Sequence, residues 1–300
     1  MAAWQPLTRW AVSRGFPPPR IMETGASFGC AFGPNSHQWL FQAGSTLASW
    51  NGIQIRLGFA PQWINQDFWL HGLDIAKHIE PLLGPSRIHL RTPPRVVIDP
   101  GHGGQNTGAR SIHDGRWEKE YTLDWALRLH ARLIAHGWEV ILTRRHDVDV
   151  SLTDRVAMAE ATSADLFVSL HFNAMDNGIL ASGLETYWTT PAGMTSTIHR
   201  GYDDNPATVH PNNAFDEANF QLAVRLHRSL LLHTGLADRG VRRARFMTVL
   251  QGQNRPAALV EGGYLTHPED ARRIADPTFR ERLAEAVARA LLCLPEDSSW

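Results

Sequence analysis

From Arg95 to the carboxyl end, short β-branched apolar runs alternate with longer stretches whose apolar residues recur at helical spacing. Strands are expected at about 95–98, 138–143, 165–170, 183–189, 245–250 and 257–261, and helices at about 118–136, 151–163, 214–235 and 277–292. Leu123, Ala126, Leu127, Leu133 and Ile134 keep a mostly helical period, and Ser151 followed by Asp154 reads as a capped helix start. Such alternation implies an α/β fold: a twisted, mostly parallel sheet flanked by helices on both faces. No internal repeat or low-complexity tract interrupts it.

Several of these runs end on residues with chemistry. Val96-Val-Ile-Asp-Pro-Gly-His-Gly-Gly104 is an apolar strand closed by Pro and Gly, with a histidine among three glycines. The glycines allow positive φ and close approach of other groups. Alone, the loop is also compatible with an exposed turn histidine. His171 closes a second apolar run, Glu118 opens a helical pattern, and Glu261 ends the run Ala257-Ala-Leu-Val260. Strand ends and a helix start can converge above one sheet edge. Two histidines and one glutamate then make a zinc set with a fourth position for water.

The region from about Arg95 to Leu292 resembles the zinc-dependent N-acetylmuramoyl-L-alanine amidases, the domain that cuts glycan from stem peptide in peptidoglycan. The matching pieces are Ile98-Asp-Pro-Gly-His-Gly-Gly104, Glu118-Lys119-Glu120, Ser169-Leu-His171-Phe-Asn173-Ala174, Arg239-Gly240-Val241 and Val260-Glu261-Gly-Gly-Tyr-Leu265, in the family's order. The resemblance implies that His102, Glu118 and His171 hold Zn2+ and that Glu261 is the catalytic glutamate. Glu160, Gly262 and His267 depart from the family's usual residues, away from these four positions. In the implied reaction the zinc lowers the pKa of its water and polarises the amide carbonyl. Glu261 takes the proton and passes it to the departing L-alanine amine. Asn173, two residues past His171 in an extended segment, is expected to point away and to support the site structurally.

Residues 1–90 read as a small α+β accessory module, set before a catalytic domain at 95–294. Trp39-Leu-Phe41 and Ile53-Gln-Ile-Arg-Leu57 suggest strands, with Asn51-Gly52 as a hairpin signal. Asp74 to Leu83 suggests a helix ended near Pro81. The segment is faintly similar to the module at the amino end of copper amine oxidases; no copper chemistry follows, and packing or wall contact is its simplest role. All four chemical residues lie beyond Arg95, so a fragment starting there is expected to hold zinc and cut small muropeptides.

A net charge of −1 offers nothing global that would draw the chain to nucleic acid or anionic lipid. No run reaches the roughly 20 apolar residues of a membrane helix. The expected partner is peptidoglycan or muropeptides, and the expected location periplasmic or extracellular, with any signal removed from this numbering. Cys30 and Cys293 are either thiols or one bridge. His130 and His136 do not share a helix face. His113 and His210 lie in loops that can approach the site, and His267 is placed to start a helix at Pro268. Trp117 and Trp188 lie beside site segments, for packing or sugar stacking. The stretch from Thr189 to Glu217 is long for a connection and is expected to rim the site as a wall or lid, its glycines and prolines opposing a long helix. Two other functions fit the residues: another zinc peptidase acting on wall peptides, and a wall-binding protein without catalysis.

Overall fold

The computed structural model describes residues 3–24, 27–34, 37–175, 180–198, 201 and 204–294. The amino-terminal part contains β1 (Trp4–Pro6), α1 (Leu7–Ser13), β2 (Arg20–Thr24), β3 (Ser27–Phe32), β4 (Trp39–Gln42), β5 (Leu47–Trp50), β6 (Ile53–Arg56), β7 (Gln62–Ile64) and β8 (Asp67–His71). A continuous helical stretch follows, with α2 (Gly72–Asp74), a wider π turn (Ile75–Ile79) and α3 (Glu80–Leu83). The helix passes Pro81 rather than ending there, because Pro81 falls in the first turn of α3, where a missing N–H is tolerated.

The remainder runs β9 (Arg95–Pro100), α4 (Glu118–Ala135), β10 (Glu139–Leu142), α5 (Leu152–Ala161), β11 (Leu166–Asn173), β12 (Leu184–Thr189), α6 (Asp216–Thr234), β13 (Asp238–Ala244), α7 (Thr248–Gln251), β14 (Ala257–Tyr264), α8 (Pro268–Ala275) and α9 (Pro277–Leu292). One expected strand is misplaced. The strand placed at 245–250 lies earlier, at Asp238–Ala244, and Thr248–Gln251 is helical. The strand's sequence, Asp-Arg-Gly-Val-Arg-Arg-Ala, hides its period because the arginines are absorbed by Glu185 and by carbonyl groups.

The large sheet has the order β10-β9-β11-β14-β12-β13-β6-β5-β4-β3-β2. Among its first six strands only β14 and β12 pair antiparallel. The central strands are buried on both faces, as crossover helices require. Val96, Ile98, Leu166, Val168, Leu170, Ala258 and Val260 face the core made with α4, α6 and α9. Val97, Phe167, Ala257 and Leu259 face a smaller core beside α5 and α7.

The sheet does not stop at Arg95. Val241 of β13 pairs parallel with Ile55 of β6, and β6 continues through antiparallel hairpins to β2. Asn51 (φ 50°) and Gly52 (φ 83°) make the β5–β6 turn, as the dipeptide predicts. Trp39, Phe41, Trp50 and Ile55 belong to the same buried cluster as Leu170 and Val260. Arg243 fixes the junction. Its guanidinium donates to the carbonyls of Arg56 and Leu57 and to His78 Nε2. His78 Nδ1 in turn lies 3.0 Å from buried Asp74. β1, β8 and β7 form a separate small sheet. Cys30 is a buried free thiol and Cys293 an exposed one, so the two do not pair. Among the described residues, no helix is long and apolar enough to cross a membrane.

Candidate metal centre

β9 delivers His102 just past its carboxyl end, β11 delivers His171, and the start of α4 delivers Glu118. His102 Nε2 lies 3.0 Å from Glu118 Oε2, and His171 Nδ1 lies 3.0 Å from Glu118 Oε1. The three ligand atoms all fall within 4.8 Å of one another. The backbone makes this approach possible. His102 itself adopts φ 62°. A Cβ on Gly101 would stand 2.2 Å from the His171 ring, and one on Gly108 would meet both Glu118 and His102 within 2.7 Å.

Glu118 is nearly inaccessible. The backbone N–H groups of Phe172 and Ala109 donate to its two carboxylate oxygens, at 3.0 Å each. Burial works to raise its pKa, but hydrogen bonds and charge interaction with His102 and His171 outweigh burial and keep the carboxyl ionised. His102 Nδ1 donates to Asn106 Oδ1 at 2.8 Å, which leaves Nε2, on the Glu118 side, as the ring nitrogen that can bind a metal.

Two imidazole nitrogens and one carboxylate are the donors zinc prefers. Bonds of about 2.0–2.1 Å in a tetrahedral arrangement separate ligand atoms by roughly 3.3 Å. The observed 3.0 Å contacts are close to that spacing, so these residues fit one such ion.

A set of buried polar groups beneath the loop was not anticipated from sequence. Arg155, on α5, donates to Asp99 Oδ1 at 2.5 Å and to the carbonyls of Pro100 and His102. Arg144 donates to the carbonyls of Pro100 and Gly101. Thr143 and Ser169 hydroxyls donate to Asp99 at 2.6 and 2.7 Å. Burial pushes the Asp99 carboxyl up, but Arg155 and the two hydroxyls override it and hold the pKa below the usual carboxylate range. These arginines clamp the glycine-rich loop. Their only sequence signal is a cation after a strand or inside a helix, which also describes a solvated face.

Glu261 is 8% exposed and is the Cα partner of His171 on one side and of Glu185 on the other. Residues paired in this way present their side chains to the same sheet face. Asn173 does not point away as expected: residues two apart in a strand share a face, and its buried Nδ2 donates at 2.9 Å to Glu185 Oε2, on the side of the sheet that carries His171. Glu185 also accepts from Tyr187 Oη at 2.7 Å and Arg239 Nε at 2.9 Å, and lies 3.3 Å from Arg242.

A cavity of about 260 Å³ opens beside the metal set, lined by the polar His102, Asn106, Arg155 and His171 and by the apolar Leu152, Phe246, Met247, Val249 and Leu259. Phe246–Val249 therefore supplies the wall expected from Thr189–Glu217. Among the described residues the latter stretch packs behind that wall: Arg245 donates to Asp204 and to the carbonyls of Pro191 and Met194. Residues 199–200 and 202–203 of this expectation lie outside the described residues. Only a short 3-10 turn, Pro211–Phe215, precedes α6 there.

Other expected residues separate from the centre. His113 and His210 are not in the metal-competent group, and His210 lies in a groove with Thr153 and Val156. His130 contacts Arg145, and His136 donates to the Arg132 carbonyl. His267 caps α8, as expected. Trp188 is fully buried against His78 and Phe220, which excludes sugar stacking, whereas Trp117 is 37% exposed under Arg110.

The sequence model of a family described as N-acetylmuramoyl-L-alanine amidase matches residues 96–293. LytC of Bacillus subtilis (strain 168) is 34% identical over 193 residues, covering 64% of this chain and 34% of LytC. This chain thus spans about a third of the length of that relative. AmiA of Escherichia coli (strain K12) is 29% identical over 218 residues, covering 66% of this chain and 74% of AmiA. Among solved structures, an N-acetylmuramoyl-L-alanine amidase from Clostridium difficile 630 matches with TM-score 0.56 and 30% identity, over 68% of this chain and 98% of that one. AmiC2 of Nostoc punctiforme matches with TM-score 0.56 and 34% identity over the same shares.

Proposed function

Because the chain belongs to the N-acetylmuramoyl-L-alanine amidase family, we propose that it hydrolyses the amide between N-acetylmuramic acid and L-alanine in peptidoglycan, using Zn2+ held by His102, Glu118 and His171. The observation that carries this reading is the approach of the two imidazoles to one buried carboxylate, with Glu261 on the adjoining strand beside His171. A bound zinc ion supplies Lewis-acid polarisation of the scissile carbonyl and a lowered pKa for water.

The chain's own groups supply the rest. Glu261 is the catalytic base: its carboxylate takes the proton of the attacking water and returns it to the leaving amine. Asn106 fixes the His102 tautomer, and Arg144 and Arg155 hold the loop that carries it. Asn173 acts through Glu185 as a structural support. Residues 1–90 serve as the accessory part and 95–294 as the part that carries the chemistry, in a protein working in the periplasm or outside the cell.

The test is to incubate the purified protein with muropeptides and identify products by mass spectrometry while measuring bound zinc in the same sample. Release of peptides with a free L-alanine amine, dependent on zinc, supports the reading. Cleavage between amino acids instead would assign a wall peptidase, and wall binding without products would assign a binding protein.

A further inference from the structure

We propose that Arg56, Arg239 and Arg242 form a cationic subsite for a carboxylate on the peptide part of the substrate, so that the amino-terminal segment takes part in substrate recognition. The proposal rests on the amidase reading above, which supplies the peptide.

Sheet register places the three arginines. His171, Glu261 and Glu185 are Cα partners across β11, β14 and β12. Tyr187, on the same face as Glu185, is the partner of Arg242 on β13. Ile55 is the partner of Val241, so Arg56 follows beside Arg242 on the next strand. Ile55 and Val241 point into the large core, which turns Arg56 and Arg242 to the opposite face, the one that carries His171 and Glu261. Arg239, at the irregularity in β13 pairing, reaches back to Glu185 and covers the Tyr264 ring.

The charges in this row do not balance. Glu185 meets two guanidinium groups, Arg239 at 2.9 Å and Arg242 at 3.3 Å. Arg56 has no side-chain hydrogen bond or ion pair among the described residues. Burial lowers its pKa, and the like charges of Arg242 and Arg239 lower it further against the pull of Glu185. Three cations against Glu185 and its strand partner Glu261 leave a local excess of positive charge that an anion relieves. The heads can be reached: the side chains of Arg239 and Arg242 are 31% and 11% exposed, and Arg56 is half-buried. A guanidinium presents parallel donors matched to a carboxylate.

Substrate chemistry selects the peptide. The N-acetylated sugars of the glycan are neutral, whereas the peptide ends in at least one carboxylate. Neighbouring strands lie about 4.8 Å apart, so Arg242, three strands from His171, is roughly 14 Å away. An extended peptide covers that distance in about four residues, and Arg56 stands one strand, about 4.8 Å, further along the row. The negative Glu261 and Glu185 lie between, so the anion belongs at the far end of the row rather than near the scissile bond.

The experiment compares a synthetic N-acetylmuramoyl-tetrapeptide bearing free carboxylates with its fully amidated counterpart, using the full chain loaded with zinc. The parent should favour the free-carboxylate substrate about tenfold in kcat/KM, through KM, and lose most of that preference at high salt. Arg56→Gln should reduce the preference below about threefold, and Arg56→Lys should restore part of it. Arg282→Gln, an exposed arginine on α9, should leave it unchanged. A parent without preference, or an Arg56→Gln variant that keeps the full preference, overturns the proposal. Equilibrium binding of the two free tetrapeptides separates this outcome from failure of the amidase reading. If the parent cuts neither substrate, tighter binding of the carboxylate peptide that is lost in Arg56→Gln still supports the subsite, and equal binding overturns it.

Discussion

Ile55 and Val241 are parallel Cα partners, and through this one register the amino-terminal hairpins become the continuation of the sheet that bears the metal set. The junction is closed by Arg243 on the carbonyls of Arg56 and Leu57, and by Gln54 N–H donating to Asp238 at 2.8 Å. Arg243 is buried, which pushes its pKa down to about 10 despite the favourable charge of Asp74. A guanidinium in that position is costly unless its donors are satisfied.

A fragment of residues 95–294 should therefore keep the chemical residues but lose solubility. Removing β6 exposes the edge of β13 and the apolar surface covered by Trp39, Phe41 and Ile55. Light scattering should show association at concentrations where the full chain is monodisperse, while the soluble fraction still holds zinc and cuts small muropeptides. A fragment as soluble and thermally stable as the whole chain would contradict the shared core.

His102→Ala should leave the fold intact and remove most of the bound metal. Second-layer changes already weaken such sites 10–100-fold, and loss of one of three ligands should exceed that. Metal content by mass spectrometry, beside an unchanged circular dichroism spectrum, is the check; parental metal content would remove His102 from the set.

Glu261→Gln should hold zinc at the parental level and lose about 10²–10⁴ in kcat, the usual contribution of a general base. The amide keeps the side-chain shape but does not accept the water's proton near neutral pH. A loss below about tenfold with zinc retained would place the base elsewhere.

Gly101→Ala tests the close packing under His171. The added Cβ would fall 2.2 Å from the imidazole and 2.8 Å is the length of the neighbouring Thr122 hydrogen bond to the Gly101 carbonyl, so neither ring nor loop can stay in place. Metal affinity should drop at least tenfold, the lower bound for a disturbed supporting contact. Titration with a chromophoric chelator measures it.

Arg155→Met should uncover the electrostatics of Asp99. In the parent the Asp99 pKa is depressed, so its stabilising contribution is present above the ordinary carboxylate pKa and is lost as pH falls through the lower folded value. Without Arg155 the buried carboxylate lacks its countercharge, its pKa rises, and acid unfolding should begin at higher pH. At neutral pH the loss should be about 3–5 kcal/mol, as for other broken buried pairs. Urea unfolding from pH 4 to 8 would show both effects; coincident parent and variant curves would exclude both, and parallel, offset curves would exclude the shift in acid unfolding.

The sequence by itself determined the strand–helix alternation of the carboxyl-terminal two thirds, because two-sided burial demands continuous apolar runs such as Val96–Ile98 and Leu166–Val168. It also displayed His102, Glu118, His171 and Glu261, since glycine-rich turns and strand ends mark them locally. Tertiary structure alone decided which of the remaining polar residues matter. Arg144 and Arg155 look like surface cations in the chain, and only the fold brings their donors to carbonyls of the loop between β9 and α4. β13 escapes the sequence pattern for the same reason: its arginines mask an alternating strand until Glu185 and neighbouring carbonyls are in place. The joining of β6 to β13 has no local signature at all, because a pairing between residues 55 and 241 is fixed by the shared core on one face and the buried Arg243 at its edge.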